Sequence, residues 1–242
     1  MDKVKQIADE IRESLGEVVV AITVYGSYAQ GTSNKDSDID YYLVLSKIDP
    51  SDLKKLAKLK PELQDKYHVD LSLNIIKEKE LPKFRKKAFF HKNRYALFLH
   101  EANKIDKIIF GENPFYTKNL PNQDEIRLEA IRIINSWAYT VRKVLVNKGS
   151  IDAAIKDALR FSVYSTQYAN AFNGYYPLST LESINKFEED FKEFGPSKKI
   201  KQIFQWKNQK ETINDKELVY ATCLDFLEKL DEYLFNKYEV KQ

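Results

Sequence analysis

The chain has 242 residues, 43% of them hydrophobic, and a formal net charge of +3. That is enough apolar material for one large domain or two small ones, and too little charge over the whole chain to mark it as a dedicated nucleic-acid binder. A lone cysteine, Cys223, excludes an internal disulfide and any multi-cysteine zinc site; no run of eighteen apolar residues occurs, and the chain is expected in the cytoplasm, off the membrane.

MDKVKQIADEIRESLGE is a charged amphipathic helix pattern. Val18 to Gly26 (VVVAITVYG) is rich in β-branched residues and predicts a buried strand, and Ile39 to Ser46 predicts a second. Between them only a short helical turn fits after Gly26. Ser51 is the expected N-cap of a helix carrying Leu53, Leu56 and Leu63, which Pro61 should kink or divide. His68 to Ile76 predicts a third strand, with His68, Asp70 and Ser72 on one face. After about residue 82 strand patterns stop. Gly111 to Asp124, with a glycine and two prolines, is the candidate linker.

Beyond it, helical patterns cover EIRLEAIRIINSWAYTVRKVLVN and the stretches 151–172, 180–194 and 214–237, the expected helices of a bundle. The fold class is therefore α+β: a small mixed-sheet domain over residues 1–115 followed by a helical bundle over 120–242. Cys223 falls in an apolar helical pattern and belongs to the core, and the aromatic-rich WAYTVRKV and FSVYSTQYANAFNGYY segments are expected to pack inside the molecule.

Residues 26–40 read GSYAQGTSNKDSDID. Gly26 and Gly31 are spaced as in a phosphate loop, but Thr32 stands where such a loop needs its lysine, and GxGxxG is absent. Asp38 and Asp40 are two apart at the start of a strand, so both carboxylates share a face about 6.5–7 Å apart at the backbone. Asp70, on another strand, can complete a three-carboxylate cluster. Carboxylates so placed repel unless cations lie between them, and all-oxygen ligation favours Mg²⁺ or Mn²⁺ over zinc. Such a cluster suits two-metal phosphoryl or nucleotidyl transfer. Gly26 ends a strand and Ser27 begins a turn, so backbone N–H groups and a hydroxyl can meet phosphate oxygens.

Tyr25-Gly26-Ser27, ten residues, then Asp38-Ile39-Asp40-Tyr41, followed later by VDLSL with Asp70, resembles the signature of the DNA polymerase beta-like nucleotidyltransferase superfamily. The resemblance implies that Gly26 and Ser27 hold the triphosphate of an NTP, ATP foremost, and that Asp38, Asp40 and Asp70 hold catalytic Mg²⁺ or Mn²⁺. It is sharp over about residues 15–76. A helical bundle after a small catalytic sheet is similar to antibiotic (aminoglycoside) nucleotidyltransferases and to stand-alone nucleotidyltransferases of toxin–antitoxin systems. The implied reaction moves a nucleoside monophosphate to a hydroxyl of a small molecule, protein or RNA and releases pyrophosphate. The alternative is a binding protein that keeps the fold and acts through a partner such as a toxin.

In the antibiotic-modifying relatives a carboxylate on the first bundle helix acts as base. INSWAYTVRKVL offers Asn135, Ser136, Tyr139, Arg142 and Lys143 but no acid. Arg142 and Lys143 are expected either to neutralise triphosphate charge or simply to complement a helix C-terminus. Lys77 to Arg94 holds eight basic residues against two acidic ones, which reads as a solvated helix face or as an attractor of a polyanion. The bundle, without chemistry of its own, is expected to choose the acceptor.

Overall fold

The computed structural model describes residues 2–31, 33, 37–81, 102–103, 106–116, 120–177, 179–208 and 213–239. The chain forms two compact units, Met1–Leu120 and Pro121–Gln242. In the first, α1 (Asp2–Leu15), β1 (Val19–Tyr25), α2 (Gly26–Gln30), β2 (Ile39–Leu45), α3 (Pro50–Tyr67), β3 (Leu71–Lys77) and β4 (Lys107–Phe110) follow in order. The sheet runs β3-β2-β1-β4. β1 is antiparallel to β2 and β4, whereas β2 and β3 are parallel, and α3 is the crossover that a parallel pair requires.

Strand alternation decides which face carries chemistry. Ile22, Val24, Ile39, Tyr41, Leu43, Leu45 and Leu71 pack on one side with Val4, Ile7 and Ile11 of α1 and Leu56 and Leu63 of α3. The α1 residues recur at three- and four-residue spacing, so one stripe of that helix is apolar. Tyr41 is fully buried there and its hydroxyl donates to the Val4 carbonyl at 2.7 Å, which satisfies a polar tip that would otherwise be stranded. The intervening residues, among them Tyr25, Asp40, Tyr42, Ser72 and Asn74, take the opposite face.

The structure corrects several sequence expectations. α3 begins at Pro50 with Asp49 as N-cap, not Ser51, and Pro61 lies inside one continuous 18-residue helix. A proline there costs a backbone hydrogen bond, but Leu56 and Leu63 anchor the helix in the core on both sides of it, and packing outweighs local propensity. β3 begins at Leu71, because His68 takes the left-handed conformation (φ 49°) that ends α3. Strands do not stop at residue 82: β4 pairs with β1.

Nor is the whole segment from Gly111 onward a free connector. Phe115 is buried, its N–H donates to Asn113 Oδ1 at 2.9 Å, and Asn113 Nδ2 donates to the Ala102 carbonyl at 2.9 Å. Gly111 itself packs so tightly that a methyl group there would stand 2.3 Å from the Val20 carbonyl oxygen.

The second unit holds α4 (Gln123–Lys148), α5 (Ile151–Phe172), α6 (Thr180–Asp190), α7 (Lys199–Asn208) and α8 (Lys216–Glu239). α7 had no sequence expectation; it is short and buries only Ile200 and Ile203. Asn122 caps α4 in a capping box with Glu125. Phe187, Phe191, Phe194 and Phe226 pack ring on ring, and Trp137 stacks on Phe161 at 5.1 Å, so these aromatic segments form core. Cys223 is buried and its thiol is pushed up to about 12 by burial, which leaves it inert. Among the described residues no helix is long and apolar enough to cross a membrane. Residues 82–94 of the basic run lie outside the described residues, as does Thr32.

Candidate active site

β1 delivers Tyr25 to its C-terminal end, and the chain turns at once into α2. Gly26 makes that turn at φ 69°, in the left-handed region that L side chains rarely adopt. A second constraint acts on the same atom: a Cβ on Gly26 would lie 2.8 Å from Asp40 Oδ2. Glycine is thus required both by the backbone and by the carboxylate that faces it. Gly31 closes α2 in a left-handed cap, its N–H returning to the Ser27 carbonyl.

Sheet register sets the rest. Tyr25 is the antiparallel partner of Asp40, and Asp40 is the parallel partner of Ser72. The three side chains therefore form one row across β1, β2 and β3. The next row brings Tyr42 beside Asn74. Asn74 Nδ2 donates to the Tyr25 hydroxyl at 2.7 Å, and the Tyr25 ring stacks on Tyr42 with centroids 4.2 Å apart. Ser72 and Tyr25 both hydrogen-bond the Asp40 carboxylate.

Asp40 is half-buried. Burial first, and the Asp38 charge second, push its carboxyl up to about 6, against the opposing pull of the Ser72 and Tyr25 hydrogen bonds. Burial, then the Asp40 charge, push the Tyr25 phenol up to about 12, so it remains a proton donor at neutral pH. Asp38 is exposed just before β2. The pair is a half-buried carboxylate crowded by a second one, with only oxygen donors around it, the ligand type that Mg²⁺ and Mn²⁺ take. A divalent cation would relieve the burial and repulsion that now fall on Asp40.

Asp70 is placed differently. It precedes β3, its carbonyl accepts from Ile39 N–H at 2.8 Å, and its exposed carboxylate accepts from Gln64 Nε2 at 3.0 Å. Among the described residues no three His, Cys, Asp or Glu side chains converge as a ready-made metal cluster. The β3 side chain beside Asp40 is Ser72, a residue whose role only the register reveals.

The two basic candidates sit in the helical unit. Arg142 Nη1 is ion-paired with Glu228 Oε1 at 2.6 Å, and Lys143 Nζ lies 6.0 Å from the centre of the Tyr139 ring. Asn135 Nδ2 donates to Asp231 Oδ2 at 2.7 Å, and burial pushes the Asp231 carboxyl up. The acid missing from INSWAYTVRKVL is thus supplied by α8, from a point 96 residues away that no local motif could have signalled.

A family model described as a nucleotidyltransferase domain matches residues 4–95. No curated protein matches the chain. Among solved structures, the spectinomycin adenyltransferase AAD(9) from Enterococcus faecialis, with ATP and spectinomycin, is similar over 95% of this chain and 98% of its own, at a TM-score of 0.62 and 15% identity. A toxin–antitoxin with AMP-PNP aligns with 60% of this chain and 95% of its own, at a TM-score of 0.31 and 17% identity. The matched span is the part of the chain that carries the Gly26–Ser27 turn and the Asp38–Asp40 pair, and residues 4–95 are a nucleotidyltransferase domain of the DNA polymerase beta-like superfamily.

Proposed function

We propose that the chain is a Mg²⁺-dependent enzyme that moves a nucleoside monophosphate from an NTP, ATP foremost, to a hydroxyl of an acceptor and releases pyrophosphate. The observation that carries this reading is the fit of Gly26 against Asp40, which brings a side-chain-free turn and a crowded carboxylate pair to one end of the sheet. Asp38 and Asp40, joined by Asp70 on its release from Gln64, would hold the cation; its chemistry there is to neutralise phosphate charge and to make the acceptor oxygen more nucleophilic. Gly26 leaves the triphosphate room, and the Ser27 hydroxyl donates to a phosphate oxygen. Arg142 and Lys143 are the cations assigned to triphosphate charge, Arg142 exchanging the Glu228 carboxylate for a phosphate oxygen. In the reaction the acceptor oxygen bonds to the α-phosphorus as the bond to the bridging oxygen breaks.

The test is incubation with labelled ATP, GTP, CTP or UTP, Mg²⁺ and acceptors of three kinds: spectinomycin and aminoglycosides, proteins, and RNA ends. Label transfer with stoichiometric pyrophosphate is the expected result. Nucleotide binding without transfer to any acceptor would instead favour a binding protein that works through a partner. Ser27→Ala should weaken NTP binding by about 1.5–3 kcal/mol, the range for losing a hydrogen bond to a charged group. Unchanged affinity by calorimetry would remove Ser27 from the site.

A further inference from the structure

Three side chains that the superfamily signature does not specify as polar surround the Asp40 carboxylate: Tyr25 occupies the signature's apolar position, and Ser72 and Asn74 follow the VDL of β3. Their arrangement is directional. Asn74 Nδ2 donates to the Tyr25 hydroxyl at 2.7 Å, which leaves the phenolic proton free to point elsewhere. Tyr25 and Ser72 each hydrogen-bond the Asp40 carboxylate, approaching it from the two neighbouring strands because register puts all three residues in one row.

The tyrosine ring is itself held. It stacks on Tyr42 at 4.2 Å, and Tyr42 meets the buried Phe115 edge-on at 5.1 Å. A phenol needed only to fill space would not require an amide donor on one side and a carboxylate on the other.

On the reading of Asp40 as a cation ligand, we infer that Tyr25 and Ser72, with Asn74 anchoring Tyr25, are positioning residues that fix the Asp40 carboxylate for the divalent cation. Two donors from opposite strands lock the carboxylate plane, so the oxygens presented to the cation do not rotate. Outer-shell hydrogen bonds of this kind typically account for about 10–100-fold in metal affinity. The high phenol pKa keeps Tyr25 a donor throughout the neutral range.

The experiment titrates the full-length protein with Mn²⁺ at pH 7.5 and follows bound metal by calorimetry and by the electron paramagnetic resonance of free Mn²⁺. Tyr25→Phe keeps the ring stack and removes only the hydroxyl. It should raise the Mn²⁺ dissociation constant about tenfold while the melting temperature moves little. Ser72→Ala should do the same, and Ser72→Thr, which restores a hydroxyl on a strand, should recover wild-type affinity. If Tyr25→Phe does not fold, Asn74→Ala and Ser72→Ala carry the measurement.

Asp40→Asn separates the two levels of inference. Loss of Mn²⁺ binding in Asp40→Asn, with wild-type affinity in Tyr25→Phe, Ser72→Ala and Asn74→Ala, would overturn the positioning role and leave the metal reading standing. Wild-type Mn²⁺ affinity in Asp40→Asn, or no Mn²⁺ binding by the unmodified protein, would overturn the metal reading and the positioning role with it.

Discussion

Asp40→Asn should lower nucleotidyl transfer about a thousandfold and, at the same time, raise the melting temperature of the metal-free protein. The first effect follows from removing a charged oxygen from the place where phosphate charge must be neutralised, a loss of several kcal/mol, with each 1.36 kcal/mol worth about tenfold in rate. The second follows from linkage. An unfolded Asp titrates near 3.8, whereas folding pushes Asp40 up to about 6. Between those values the folded state binds more protons than the unfolded one, so stability falls as pH rises through the window, and the whole penalty is present above about pH 6.

A carboxamide keeps the hydrogen-bond acceptor and carries no charge, so it escapes that penalty. Discounted for solvent screening of a half-buried group, the gain at pH 7.5 is about 1–2 kcal/mol. Melting curves of the two proteins should therefore diverge above pH 6 and converge near pH 4. Transfer retained near the wild-type rate would sink the role of Asp40, and a melting-temperature difference that ignores pH would refute its electrostatic strain.

Gly26→Ala should combine a stability loss of about 1–3 kcal/mol with a fall in transfer of about a hundredfold. The backbone part arises because alanine at φ 69° enters a strained region. The catalytic part arises because the new methyl would stand 2.8 Å from Asp40 Oδ2, closer than any real contact, and the carboxylate is the partner that must move. Gly31→Ala is the internal control. Gly31 has a similar φ of 75° and nothing within 4 Å of its would-be Cβ, so it should lose comparable stability and keep transfer. Equal activity in the two variants would show that the Gly26–Asp40 contact does not govern the reaction.

Much of this architecture was legible without coordinates because its signals are local. β-branched runs marked β1 and β2, periodicity marked α4, α5 and α8, and the short spacing of Gly26, Ser27, Asp38 and Asp40 marked the chemistry. Alternation also dictates that Asp40 shares the face of Tyr42 and not that of Tyr41, since neighbouring strand residues point to opposite sides. The expected packing of Cys223 and the aromatic segments in the core rested on the same periodic reasoning.

What local pattern could not determine were relations between residues far apart in the chain. β4 is four residues long with no alternation of its own, and it becomes a strand only by pairing with β1. Pro61 reads as a break, yet α3 continues because Leu56 and Leu63 are buried on either side of it. Sheet register, not motif spacing, put Ser72 beside Asp40 and Asn74 on the Tyr25 hydroxyl. Packing also supplied a reason for Gly26 that the sequence did not contain: expected there to make room for phosphate, it also makes room for Asp40. Composition and periodicity thus determined the element types and the chemical class of the site, because both depend on neighbours a few residues away. Tertiary structure alone decided which side chains orient the carboxylate, because hydrogen bonds and close contacts are set by where distant strands meet.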